Sequence, residues 1–209
     1  MGLARNPVPA TRYEQLTGKK ISRDSRVVWD RVYNKNKFVY GKSPAKFLSQ
    51  NYQYIPPKSE VLDLGMGEGR NAVFLAQKGH SVTGIDISPM AVKKSGVLAD
   101  EFGVTVKAIT ADLNKYDFPA NSFDSIICFY YVDRDLIERM KKWLKPKGII
   151  IFEAYGIKQR KLDGKKADPI SYYLREGELL SIFKDFKVLK FEEPEHRSKF
   201  TSSIIIKKK

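Results

Sequence analysis

From Glu60 onward the chain alternates short apolar runs with stretches whose apolar residues recur at helical spacing. The spacing predicts strands over residues 61–64, 81–86, 104–110, 123–129 and 148–152, separated by helices over 71–78, 90–102 and 136–144. A strand covered on both faces must be apolar on both, and a run such as Ser125-Ile-Ile-Cys-Phe129 meets that demand. Strands alternating with helices imply βαβ units, hence a mostly parallel sheet with helices on both sides. A helix near residues 176–183 follows, then two more strands, 187–191 and 202–207, expected to pair as an antiparallel hairpin through residues 192–199. The expected class is α/β, a three-layer sandwich around seven strands.

The preceding residues follow another pattern. Apolar and aromatic side chains recur at Val28, Trp29, Val32 and Tyr33 within residues 27–39, and a second helix is expected after a Ser43-Pro44 cap, running through Phe47 and Leu48. Pro56 and Pro57 mark a connector. Residues 1–24 are polar, basic and broken by Pro7, Pro9 and Gly18, which predicts a loosely held arm. The expected organisation is an arm (1–24), a helical lid segment (25–58) and a main domain (59–209).

Charge refines this picture. The net charge of +14 divides into +9 over residues 1–58, −1 over 59–156 and +6 over 157–209. Basic flanks attract nucleic acid, anionic lipid or a small anion. Here they carry no nucleic-acid motif, so a solubility role is preferred and a macromolecular partner stays open. The single cysteine, Cys128, lies within a predicted strand and forms no internal disulfide. Residues 1–6 contain no apolar signal core, Asn6 does not fit a myristoylation signal, and no apolar run is long enough to span a bilayer. A cytoplasmic, soluble protein without membrane association is expected.

The strongest chemical signal is Val61-Leu-Asp-Leu-Gly-Met-Gly-Glu-Gly-Arg-Asn71, between a buried strand and a helix start. Glycines at 65, 67 and 69 allow a sharp turn and let a ligand lie against main-chain amides. The dinucleotide fingerprint would need glycine where Arg70 stands, and Asp63 places an acid at the strand end. A pyrophosphate tolerates such an acid poorly, whereas a cationic ligand suits it. Two further acids close predicted strands in Val82-Thr-Gly-Ile-Asp-Ile87 and Thr110-Ala-Asp-Leu113. Either is compatible with a capping acid. Three acids at successive strand ends point instead to a ligand at the carboxyl edge of the sheet.

In this order the stretch resembles the glycine-rich motif and the two acid-ended strands of class I S-adenosylmethionine-dependent methyltransferases, a Rossmann-like family. The resemblance implies S-adenosylmethionine as cofactor, bound by Asp63, Gly65, Gly67, Gly69, Arg70, Asn71, Asp86, Ile87, Ala111, Asp112, Leu113 and Phe129, with Trp29 and Tyr40 closing over it. Asp86 would take the ribose hydroxyls and Asp112 the adenine amine. Trp29-Asp-Arg-Val-Tyr33, Phe38-Val-Tyr-Gly41, Ser43-Pro44, Gly69-Arg-Asn71 and Phe152-Glu-Ala-Tyr155 resemble the tellurite-resistance and thiopurine branch. That branch implies a small, soft acceptor: a thiol, or a selenium or tellurium species.

No Asn-Pro-Pro-Tyr-like run follows the fourth strand, where the chain reads Cys128-Phe-Tyr-Tyr-Val-Asp133, and Cys128 is no exposed nucleophile. In-line displacement is expected, with no metal and with catalytic residues unassigned. Tyr33, Tyr40, Tyr130, Tyr131 and Tyr155 are candidates to wall the acceptor pocket. His196 is read as a loop residue rather than a base. The alternatives are an RNA- or protein-modifying methyltransferase and a nucleotide-binding oxidoreductase. The oligomeric state is left open.

Overall fold

A computed structural model describes residues 25–162, 172–194 and 199–209. The expected arm, residues 1–24, and His196 lie outside the described residues.

Among the described residues seven strands form one sheet: β1 (Glu60–Leu64), β2 (Ser81–Asp86), β3 (Lys107–Thr110), β4 (Phe123–Phe129), β5 (Leu144–Tyr155), β6 (Lys187–Glu192) and β7 (Thr201–Lys207). Their order is β3-β2-β1-β4-β5-β7-β6. The first five are parallel, and β7 runs antiparallel to both β5 and β6. The chain reverses its direction of travel at β1, stepping out to β3 and then back to β4. The carboxyl ends of β1, β2 and β4 flank that switch point, where open α/β sheets bind ligands. The Rossmann-like sandwich and its terminal hairpin are both present.

The helices are α1 (Ser25–Tyr33), α2 (Lys46–Asn51), α3 (Arg70–Gln77), α4 (Pro89–Glu101), α5 (Arg134–Trp143), α6 (Ile157–Leu162) and α7 (Glu178–Ile182). On one sheet face Phe47 and Leu48 of α2 and Ala72 and Leu75 of α3 pack against Val61, Val82, Ile127, Ile149, Ile151 and Ile205. On the other, Leu136, Ile137, Met140 and Trp143 of α5 and Leu179 of α7 pack against Leu62, Leu64, Ile126, Ile150 and Ile204. Alternate residues of β1 thus serve opposite layers, as the strand's pleat requires.

Several boundaries differ from expectation, three of them near the candidate site. α1 stops at Tyr33 because the polar, exposed Asn34-Lys35-Asn36-Lys37 offers no apolar face. The cap of α2 is Ala45, not Ser43-Pro44; its backbone N–H donates to Asn71 Oδ1 at 2.8 Å. β3 begins at Lys107, since Val104 and Val106 pack beside Val73, Leu98 and Ala99 instead of entering the ladder.

Candidate active site

The turn after β1 is laced to the end of β2: Gly65 and Met66 N–H groups donate to Ile85 O at 2.9 and 3.1 Å. Gly67 has φ +55°, and a Cβ there would fall 2.8 Å from the Tyr33 hydroxyl. Gly69, at φ +84°, starts α3; a Cβ there would meet Ser95 at 2.6 Å. Its lack of a side chain therefore lets α3 close on α4, while that of Gly67 leaves room under Tyr33.

Three acids end three strands. Asp63 is buried, and its Oδ2 has no hydrogen-bond partner among the described residues. Burial, then repulsion from Asp86, pushes its carboxyl up to about 8. Asp86 is also buried; Oδ2 accepts from Gly67 N–H at 2.9 Å and Oδ1 from Ser88 N–H at 2.9 Å. Burial raises it to about 6 against the pull of those amides. Asp112 Oδ1 accepts from Asn114 N–H at 2.9 Å, and Arg139 fixes the following loop through the carbonyls of Leu113 and Tyr116.

A cleft opens between these strand ends, lined by Trp29, Tyr33, Gly65, Asp86, Ile87, Ala111, Asp112, Leu113, Asn114 and Tyr131. Seven of the expected cofactor residues and two of the acceptor candidates meet there. Others sit elsewhere. Gly67 and Gly69 shape the turn behind the cleft, Asn71 holds Ala45, and Phe129 packs in the core with Ile127 and Ile151. Arg70 donates to the Tyr40 carbonyl at 3.1 Å and stands 5.7 Å from the Tyr130 ring centre.

Segment 29–40 is docked over the turn by charges that composition presents as ordinary surface. Asp30 accepts from Ser88 Oγ at 2.7 Å and Met90 N–H at 2.9 Å, tying α1 to the start of α4. Glu68, buried in the turn, accepts from Val39 N–H at 2.7 Å and pairs with Lys94 at 2.8 Å. Lys94 also donates to Lys37 O at 2.8 Å. Asp30 and Glu68 stand inside the quoted motifs, so their location was legible; their partners, 26 to 60 residues away, were not.

The remaining tyrosines lie beside the cleft. The Tyr33 and Tyr40 rings are 6.1 Å apart and those of Tyr130 and Tyr155 are 5.1 Å apart. Tyr130 donates to Glu153 Oε1 at 2.5 Å and accepts from Lys199 Nζ at 2.7 Å. Glu153 stands in the sequence only within the Phe152-Glu-Ala-Tyr155 motif, and Lys199 carries no local signal. Among the described residues no cluster of His, Cys, Asp and Glu fits a metal ion, and no helix is long and apolar enough to cross a membrane.

Residues 61–148 match the methyltransferase domain family. The chain is 27% identical over 195 residues to a sterol 24-C-methyltransferase of Gibberella zeae, covering 79% of this chain and 50% of that protein. It is 36% identical over 134 residues to 2-methyl-6-phytyl-1,4-hydroquinone methyltransferase of Synechocystis, covering 61% and 41%. The fold is shared with TehB from Haemophilus influenzae at a TM-score of 0.65, 19% identity, over 88% of this chain and 67% of that one. The match makes residues 61–148 similar to a methyltransferase domain, and the sheet around them has the fold of the solved structure named above. The chain spans about half or less of the length of the curated relatives given above.

Proposed function

We propose that the chain transfers a methyl group from S-adenosylmethionine to a small, soft nucleophile, a thiol or a selenium or tellurium species, by in-line displacement. The observation that carries this reading is the docking of segment 29–40 over the glycine turn by Asp30 and Glu68, with Trp29 and Tyr33 as walls of the cleft. A site roofed by the protein's own aromatic segment admits a small acceptor and keeps water from the reacting centre.

The residues present fit the cofactor. Asp63 is buried with its Oδ2 lacking a hydrogen-bond partner among the described residues, so its ionised form is costly and favours a cation, which the charged methionine end supplies. Asp86 accepts from the amides of Gly67 and Ser88, and a carboxylate has room for further donors, so it retains capacity for ribose hydroxyls. Ile87, Ala111 and Leu113 offer an apolar slot for the adenine, with Asp112 at its edge. Bound S-adenosylmethionine supplies an electrophilic methyl on sulfur; the protein supplies alignment and a dry approach. Oxidoreductase chemistry loses its support, since the matched domain is that of methyltransferases.

The basic flanks favour a second reading, a nucleic acid or protein acceptor. A transfer assay with labelled S-adenosylmethionine separates the two. Thiols, selenite and tellurite should be labelled, and bulk RNA, lysate protein and phosphoethanolamine should not. Label in RNA or protein alone would overturn the small-acceptor reading.

A further inference from the structure

At the carboxyl ends of β4 and β5 the chain holds a polar network of Tyr130, Glu153, Lys199 and Ser203, outside the residues that line the cleft. Glu153 is 5% exposed. Its Oε1 accepts from the Tyr130 hydroxyl at 2.5 Å and faces Lys199 Nζ at 3.4 Å, while Oε2 accepts from Ser203 Oγ at 2.9 Å. Tyr130 itself has φ +60°, a left-handed backbone that a tyrosine adopts only under constraint, and its N–H donates to Glu153 O at 2.7 Å. Strained residues concentrate at functional sites. Here the strained residue donates its hydroxyl proton to a buried carboxylate on the ligand edge of the sheet. The ring of Tyr130 also faces the guanidinium of Arg70, the first residue of α3 after the glycine turn. Tyr130 therefore stands between the turn and Glu153.

We propose that Tyr130 and Glu153 form the proton exit of the acceptor site: an acceptor X–H donates to the Tyr130 hydroxyl oxygen, and the tyrosine's own proton passes to Glu153 as the methyl group arrives. This rests on the reading of the protein as a methyltransferase for soft nucleophiles, and narrows it to acceptors that enter protonated, neutral thiols above all. The X–C bond forms while the carbon–sulfonium bond breaks and its electron pair returns to sulfur. The X–H proton goes to Tyr130 and the phenolic proton to Glu153, so the sulfonium's positive charge is matched by one lost carboxylate. A free thiol is a far weaker acid than a carboxylic acid, by about four pKa units. Once sulfur carries the methyl it becomes a strong acid, so a late transfer to a carboxylate runs downhill.

The groups facing the Tyr130 hydroxyl suit a relay. They are Glu153 and Tyr155 from β5, Lys199 ahead of β7, and Arg70 from α3. Burial, then the Glu153 charge, pushes the phenol's ionisation well above its ordinary value, so Tyr130 passes a proton on rather than losing it outright. Lys199 contacts both oxygens and keeps Glu153 when an incoming X–H takes its place on Tyr130.

The test compares two acceptors, an alkyl thiol, protonated at pH 7, and p-nitrothiophenol, already a thiolate there. In Glu153→Gln and Tyr130→Phe, kcat for the alkyl thiol should fall by about 100-fold or more, while kcat for the aryl thiolate stays within about threefold. The alkyl loss should shrink as pH rises past the thiol's own ionisation, with cofactor Kd and melting temperature unchanged. Equal losses on both acceptors, or a loss on neither, would overturn the relay alone. No transfer to either thiol by the unmodified protein, with cofactor bound, would overturn the thiol reading and the relay with it. Tyr130→Phe, which deletes only the hydroxyl, keeps the test open if Glu153→Gln does not fold.

Discussion

Asp63 carries a stability cost beside the candidate site. Its carboxyl rises from 3.8 to about 8, so the folded protein holds a proton that the unfolded chain has lost. The stabilising contribution is complete below pH 3.8 and is lost as pH rises through about 8, at up to about 1.4 kcal/mol per pH unit within that window. Asp63→Asn removes the ionisation and keeps the shape. Its melting temperature should gain on the unmodified protein between pH 5 and pH 8 and level off above, at roughly 2–4 °C per kcal/mol for a chain of this size. Its affinity for S-adenosylmethionine should fall at least about tenfold at pH 8, where the lost interaction is with a charged group. Equal melting curves across pH would show that the carboxyl carries no such penalty. In the unmodified protein a bound cation favours the carboxylate, so cofactor binding should tighten from pH 6 to pH 8. Protons should be released on binding, measurable by calorimetry in buffers of different ionisation heat.

At the scale of elements, the glycine turn and segment 29–40 act together. Gly67→Val would place a branched side chain against the Tyr33 hydroxyl at a left-handed backbone position. Cofactor binding should be lost while circular dichroism stays native; retained affinity would remove the turn from the site. Glu68→Ala frees the N–H groups of Val39 and Tyr40 and leaves Lys94 without its buried carboxylate. Hydrogen exchange over residues 34–42 should quicken by about tenfold or more, reflecting a loss of roughly 1.5–3 kcal/mol for charge-assisted bonds. Unchanged protection would mean that other contacts hold the segment. The elements themselves were legible to different degrees. β2 and β4 have the predicted bounds, 81–86 and 123–129, because each is buried along most of its length and so carries a compact run of apolar and small residues. β5 outruns its predicted 148–152 at both ends, reaching Leu144 where it pairs with Phe123 of β4 and Tyr155 where β7 pairs as far as Thr201. That partner lies nearly fifty residues away, beyond any local pattern.

At the scale of the molecule, the ligand edge was legible because glycines and acids stand at strand ends, where spacing alone makes them conspicuous. Gly65, Asp86, Ile87, Ala111, Asp112 and Leu113 meet in one cleft as that spacing implies. What spacing concealed is the work of charged residues that look like solvated surface: Asp30, Glu68 and Lys94 dock the aromatic segment, and Glu153 with Lys199 holds Tyr130. Each acts through a partner far along the chain. The basic flanks belong to this scale too. If they serve solubility, deleting residues 1–24 should leave thiol methylation within about twofold across salt concentrations, whereas phosphate contacts would make activity steeply salt-dependent. The most direct test of the central claim is a competition with methyl-labelled S-adenosylmethionine, offering an alkyl thiol and bulk RNA together to the full chain. The account predicts label in the thiol, saturable and insensitive to RNA. Label in the RNA, with the thiol untouched, would contradict it.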